Sequence, residues 1–125
     1  MFKLKVYYED TDAGGIVYYA NYLKFLERAR TQLLIDKGFT HTSLRDKHNI
    51  ITIVKSCNID FIKPAKLDDL LEVSTSIEKK SKIQLVFSQK IYCTNNLIVN
   101  AIVRIAIINT EGKISRMPSD LYNIF

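Results

Sequence analysis

With 125 residues, 47% of them hydrophobic and 25% charged, the chain has the make-up of one soluble globular domain spanning 1–125, long enough to bury roughly two thirds of its unfolded surface. A net charge of +5, carried by scattered lysines without an interleaved aromatic stripe, argues against a nucleic-acid surface. No apolar run reaches the roughly 18 residues of a bilayer span, and Met-Phe-Lys-Leu-Lys is no signal peptide, so the expectation is a cytoplasmic protein without stable membrane insertion.

Phe2 to Tyr8 alternates apolar and polar residues, the period of a half-buried strand. It leads into an acidic turn, Tyr8-Glu9-Asp10-Thr11-Asp12-Ala13-Gly14-Gly15. From Val17 to Lys37, Tyr22, Leu23, Phe25, Leu26, Ala29, Leu33 and Leu34 recur at spacings of three and four, which predicts the one long helix. Asn21 or a residue just before it is the expected cap and Gly38 the stop. Thr42 to Asn49 is polar, with Ser43 as the expected cap of one or two helical turns.

Strands follow at Ile51 to Phe61, Leu70 to Lys79, Lys82 to Cys93 and Leu97 to Asn109, all rich in β-branched and aromatic residues. Turn signals separate them at Pro64, at Lys79 to Lys82 and at Asn95-Asn96. Connections this short force antiparallel neighbours, because parallel pairing requires a crossover of a dozen residues or more. Alternation fades in Leu85-Val86-Phe87 and in Val103 to Ile108, so both sheet faces must be partly covered. One helix covers one face, and a second copy of the chain is the expected cover for the other. Pro118-Ser119-Asp120 opens a last helical turn. Cys57 and Cys93 lie in strand-like runs without metal-ligand spacing and read as free thiols. The sum is an α+β fold, one long central helix wrapped by a curved antiparallel sheet of about five strands.

The acidic turn holds the residue types that acyl-transfer chemistry requires. Two carboxylates stand two positions apart, two glycines let backbone crowd a ligand, and the helix start that follows offers N–H donors without intrahelical partners. Rival readings of Asp10-Thr11-Asp12 fail on neighbours. A calcium loop starting at Asp10 would place Gly14 and Asn21 where an oxygen ligand and a bidentate Glu belong. An Asp-x-Asp phosphatase would need a parallel α/β domain around the motif. His41 and His48 are too few for a metal hydrolase and read as surface residues, so no metal site is expected. Asp10 reads as the residue that holds the turn by side-chain-to-backbone bonds. Glu27 and Arg30, three apart, read as an intrahelical pair, or as residues orienting the loop. Lys79, Lys80 and Lys82 form either a solvated hairpin loop or a phosphate site.

The run from Tyr7 to Tyr22, with Phe25, Glu27, Arg28, Ala29 and Arg30, closely resembles the signature of the YbgC-like acyl-CoA thioesterases of the 4-hydroxybenzoyl-CoA thioesterase family. Phe61-Ile62-Lys63-Pro64-Ala65-Lys66-Leu67-Asp68-Asp69, Leu71-Glu72-Val73 and Leu85-Val86-Phe87-Ser88-Gln89 extend the likeness over nearly the whole chain. The resemblance implies a hot-dog fold and an acyl-CoA thioester hydrolase, with Asp12 as nucleophile or general base and the backbone N–H of Tyr19 as oxyanion donor. Many relatives carry histidine where this chain has Tyr19, a change that a backbone donor survives. Tyr18 and Tyr22 read as acyl-pocket lining or as plain core. The resemblance raises Lys79, Lys80 and Lys82 as ligands of a coenzyme A phosphate, and implies no separate cofactor, since coenzyme A is part of the substrate. It also implies a homodimer or homotetramer and admits an acyl carrier protein as partner. The competing classes are a binding module for acyl-CoA or acyl carrier protein, and a hot-dog dehydratase recruiting His41 or His48.

Overall fold

Five strands, β1 (Phe2–Lys5), β2 (Ile51–Phe61), β3 (Leu70–Lys80), β4 (Gln84–Cys93) and β5 (Asn96–Ile108), form one antiparallel sheet in the order β1-β3-β4-β5-β2. Three helices accompany it in this computed structural model, which describes residues 1–125: α1 (Asn21–Asp36), α2 (His41–His48) and α3 (Ser119–Ile124). The register slips between Val54 and Ser56, between Ile77 and Lys79, and between Ile91 and Tyr92. Such irregularities bend a strand and add twist, and here they curl the sheet around α1. The β4–β5 turn is Thr94-Asn95, both residues left-handed at φ 48° and 64°, the geometry that matches a two-residue hairpin to strand twist. Asn96 already pairs with Cys93, so the turn falls one residue before the expected Asn95-Asn96.

The helical stripe of α1 buries Tyr22, Phe25, Leu26, Ala29 and Leu34. They join Leu71, Val73, Phe87, Ile91, Val99 and Val103 from the sheet in one core. This is the α+β arrangement expected, a single long helix held against a curved five-stranded sheet. The end of α1 follows its sequence signal. Gly38 at φ 96° lets the N–H groups of Phe39 and Gly38 bond back to the carbonyls of Leu34 and Ile35, the double closure that removes two orphan carbonyls.

Its start does not follow the prediction. Helix begins at Asn21 and not at Val17, because the backbone before it is already engaged. The Val17 N–H donates to Ala65 O and the Tyr18 N–H to Asp10 O, both at 2.9 Å, which holds these residues out of helical geometry. No side chain caps the helix, and Asn21 Nδ2 donates instead to Asp10 O at 2.9 Å.

Two further boundaries move for local reasons. β1 ends at Lys5 because Val6 turns its N–H to Asp69 O, and residues Tyr8–Asp10 then coil into a short 3-10 turn. In α2 the cap is Thr40 and not Ser43; the two exchange hydrogen bonds, Ser43 N to Thr40 Oγ1 at 3.0 Å and Thr40 N to Ser43 Oγ at 2.9 Å, the reciprocal box of a helix start. No helix is long and apolar enough to cross a membrane.

Candidate active site

The acidic turn is built from short-range bonds that its own residue types supply. Asp10 is buried, and its Oδ2 accepts the Tyr7 N–H at 2.9 Å. Its carbonyl receives both the Tyr18 N–H and Asn21 Nδ2, so one residue ties the turn to the start of α1. Asp12 faces solvent. Its Oδ1 accepts the Gly14 N–H at 2.8 Å, the local turn that aspartate makes with backbone two residues on. A Cβ at Gly14 would stand 3.2 Å from that Oδ1, so glycine gives the carboxylate its room. The Asp12 N–H donates to Ile16 O at 2.9 Å and the Gly15 N–H to Asp12 O at 3.1 Å, closing a small hairpin at Gly15, φ 79°.

A second segment clamps this hairpin from outside. Ile16 bridges Lys66, the Leu67 N–H reaches Gly15 O, and the Val17 N–H reaches Ala65 O. The Ala65 N–H donates in turn to the Tyr22 hydroxyl at 2.9 Å inside the protein. Burial pushes the Tyr22 hydroxyl pKa up from its ordinary 10.0, partly offset by that N–H. Tyr22 is therefore core and clamp, whereas Tyr18 and Tyr19 stand exposed, with the Phe61 ring centroid 5.9 Å from that of Tyr19. The Tyr19 N–H has no acceptor within the chain, nor does that of Ala20. With no cap on α1, this end of the helix keeps its partial positive charge unanswered.

The lysine patch divides. Lys80 Nζ donates to the carbonyls of Tyr122, at 3.1 Å, and Phe125. Lys80 and Lys82 flank the Tyr122 ring at 4.3 and 4.4 Å. Lys80 thus ties down α3, a structural engagement that the reading of all three lysines as phosphate ligands did not include. Lys79 is exposed and engages no partner.

Glu27 and Arg30 depart from the intrahelical pair. The ion pairs of the chain are Lys5–Asp68 and Arg45–Asp46. Arg30 turns inward, and its Nη1 donates to Gln89 Oε1 at 2.9 Å. Gln89, fully buried on β4, spends its amide on Leu26 O and Thr75 Oγ1, both at 3.0 Å. Burial lowers the Arg30 pKa from its ordinary value, against the pull of Glu27 and Cys57, and raises that of the Cys57 thiol. Sequence reading missed this network. Its one signal was a glutamine in a strand otherwise apolar toward the core.

Two cavities flank α1, and neither touches Asp12. The larger, about 410 Å³, lies between the C-terminal half of α1, α2 and the sheet. The smaller, about 250 Å³, is lined by residues including Phe2, Ala29, Leu33 and Val73.

A helix wrapped by this sheet, with an acid turn at the helix start, defines a class. The sequence pattern of the thioesterase-like superfamily matches residues 6–125, and the chain belongs to that superfamily. Within it the chain is one of the YbgC-like acyl-CoA thioesterases. It is 41% identical over 108 residues to the acyl-CoA thioesterase YbgC of Haemophilus influenzae, covering 86% of this chain and 79% of that one. It is 40% identical over 94 residues to the YbgC of Helicobacter pylori, covering 75% and 68%. The crystal structure of a probable thioesterase from Bartonella henselae superposes with a TM-score of 0.90 at 38% identity, over 94% of this chain and 97% of that chain.

Proposed function

We propose that this chain hydrolyses acyl-CoA thioesters to free coenzyme A and a carboxylic acid, with Asp12 as the attacking or water-activating carboxylate and the Tyr19 backbone N–H as oxyanion donor. The observation that carries the reading is the pairing of an anchored carboxylate with an uncapped helix start: Asp12 Oδ1 is occupied by Gly14, and the Tyr19 N–H has no acceptor. As a thioester carbonyl becomes tetrahedral, charge gathers on its oxygen, and an unpaired N–H at a helix start suits that charge. Asp12 either adds to the carbon through Oδ2, expelling the thiolate and leaving an anhydride for water to open, or takes a proton from the attacking water. Both routes end in a thiol and an acid.

Purified protein given a panel of acyl-CoAs with a thiol-reactive dye should release thiol continuously. Asp12→Asn should reduce that rate by about a hundredfold or more while leaving the thermal midpoint within a degree or two. Full activity in this variant would end the assignment. Signal from an enoyl substrate with no thiol release would indicate a dehydratase instead.

The same reading takes Lys79 and Lys82 as point-charge contacts for a coenzyme A phosphate, with Lys80 restricted by its hold on α3. It also takes the working form as a homo-oligomer. Ile53, Val54 and Phe61 stand exposed along β2, an unpaired sheet edge, and Tyr18, Tyr19 and Leu23 are exposed near the start of α1. Exposed large apolar side chains along an open sheet edge fit an association face.

A further inference from the structure

We propose that the 410 Å³ cavity between α1, α2 and the sheet is a binding site for a free carboxylic acid with a hydrocarbon tail, its carboxylate seated on Arg30. Its lining includes neither Asp12 nor Tyr19.

The charge of Arg30 is the first argument. Its guanidinium has five N–H donors, of which one is spent, on Gln89 Oε1 at 2.9 Å. No carboxylate reaches it: Asp46 holds Arg45, and Glu27 on the cavity rim pairs with neither arginine. A half-buried cation with no carboxylate in contact, Glu27 acting on it only from beyond ion-pair distance, is unfavourable, and a bound anion removes the penalty. Gln89 also makes the site rigid. Fully buried and fixed by Leu26 O and Thr75 Oγ1, it holds the guanidinium in one orientation, with the unused donors available to a planar carboxylate.

The lining supplies the second argument. Below Arg30 the walls are Leu34, Leu85, Phe87, Ile105 and Phe125. Arg45 and His41 stand at the rim, the latter 3.1 Å from Thr31 Oγ1. With Arg45 already paired to Asp46, Arg30 is the one guanidinium free to take an anion, and a single cation above an apolar lining selects a singly charged head with an oily tail over a neutral lipid. The volume lies in the usual range for small-molecule sites, about 300–1,000 Å³. A carboxylic acid is also what thioester hydrolysis releases, yet the test below involves no turnover, so its failure leaves the hydrolase reading intact and the converse holds.

The experiment is isothermal titration of the intact protein with octanoate and with 1-octanol. Octanoate should bind saturably, one per chain and at least tenfold tighter than the alcohol. Arg30→Met should weaken octanoate about ten- to a hundredfold and bring the two ligands level, the loss expected for a charge-assisted bidentate contact. Thr31→Phe, at the half-exposed mouth, should block both ligands without touching Arg30, and keeps the test valid should the Arg30 variant fail to fold. Asp12→Asn should bind octanoate as the unaltered protein does. Equal affinity for acid and alcohol, no saturable binding, or loss of binding in Asp12→Asn would each overturn the assignment.

Discussion

Tyr22 joins two parts of the molecule through a single hydroxyl. Its ring packs in the core and its oxygen accepts the Ala65 N–H, so Tyr22→Phe leaves that buried donor orphaned, a loss of about 1–3 kcal/mol. The hydroxyl also sets an alkaline limit. Burial raises its pKa above 10.0, so the folded form keeps a proton that the unfolded chain gives up. Its contribution is intact below pH 10 and is lost progressively as pH rises from there through the raised folded value. The Cys57 thiol, raised from 9.0 chiefly by burial, acts in the same sense from one pH unit lower. Urea midpoints at pH 8 and pH 11 should show Tyr22→Phe less stable at the first and less sensitive to the change between them; an identical alkaline drop in both proteins would remove Tyr22 from the account. The role of Asp10 in holding the turn was legible beforehand, and its acceptance of the Tyr7 N–H three residues back follows from aspartate chemistry. The similar bond between Asp12 and Gly14 was not read, because Asp12 was taken only as the reacting carboxylate. Arg30 and Gln89 meet across 59 positions, and helical spacing instead pointed Arg30 at Glu27.

Elements follow their sequence signals except where a distant segment claims the backbone. Apolar residues at helical spacing identified the body of α1, and Gly38 identified its end. Tyr18 and Tyr19 prolong the apolar pattern backward, but Ala65 and Asp10 hold Val17 and Tyr18, and periodicity carries no information about such bonds. At α2 the true cap sits three residues before the expected one because Thr40 and Ser43 are both competent oxygens, and the box makes them a reciprocal pair. Thr40→Ala should destabilise the fold by about 1 kcal/mol. Ser43→Ala should cost less, because it leaves the Thr40 oxygen on the Ser43 N–H in place. Chemical denaturation of both variants checks the order, and the reverse ranking would contradict this cap assignment.

At the scale of the whole molecule, the two sheet edges differ. β1 is four residues long and carries Lys3 and Lys5, features that discourage further pairing, whereas β2 offers eleven residues with Ile53 and Val54 exposed. Sedimentation velocity should find the protein larger than its 14.4 kDa chain, and the Ile53→Lys/Val54→Lys double variant should shift it toward the monomer; an unaltered protein that sediments as a monomer would withdraw the oligomer proposal. The hairpins β3–β4 and β4–β5 were legible from their short turns. That β1 and β2 would close opposite edges was not, since both pairings are made across long stretches of chain. The pairing order also has a temporal meaning. Register partners of β2 and β5, from Phe61↔Val99 to Ile51↔Ile108, lie far apart along the chain. At ribosomal speeds of about 5–20 residues per second, an Ile- and Val-rich strand waits roughly 2–11 seconds for its mate to be synthesised. During that interval the nascent protein is most exposed to misassociation, and chaperone dependence in the cell should follow the speed of translation between those two segments more than the stability of the finished fold.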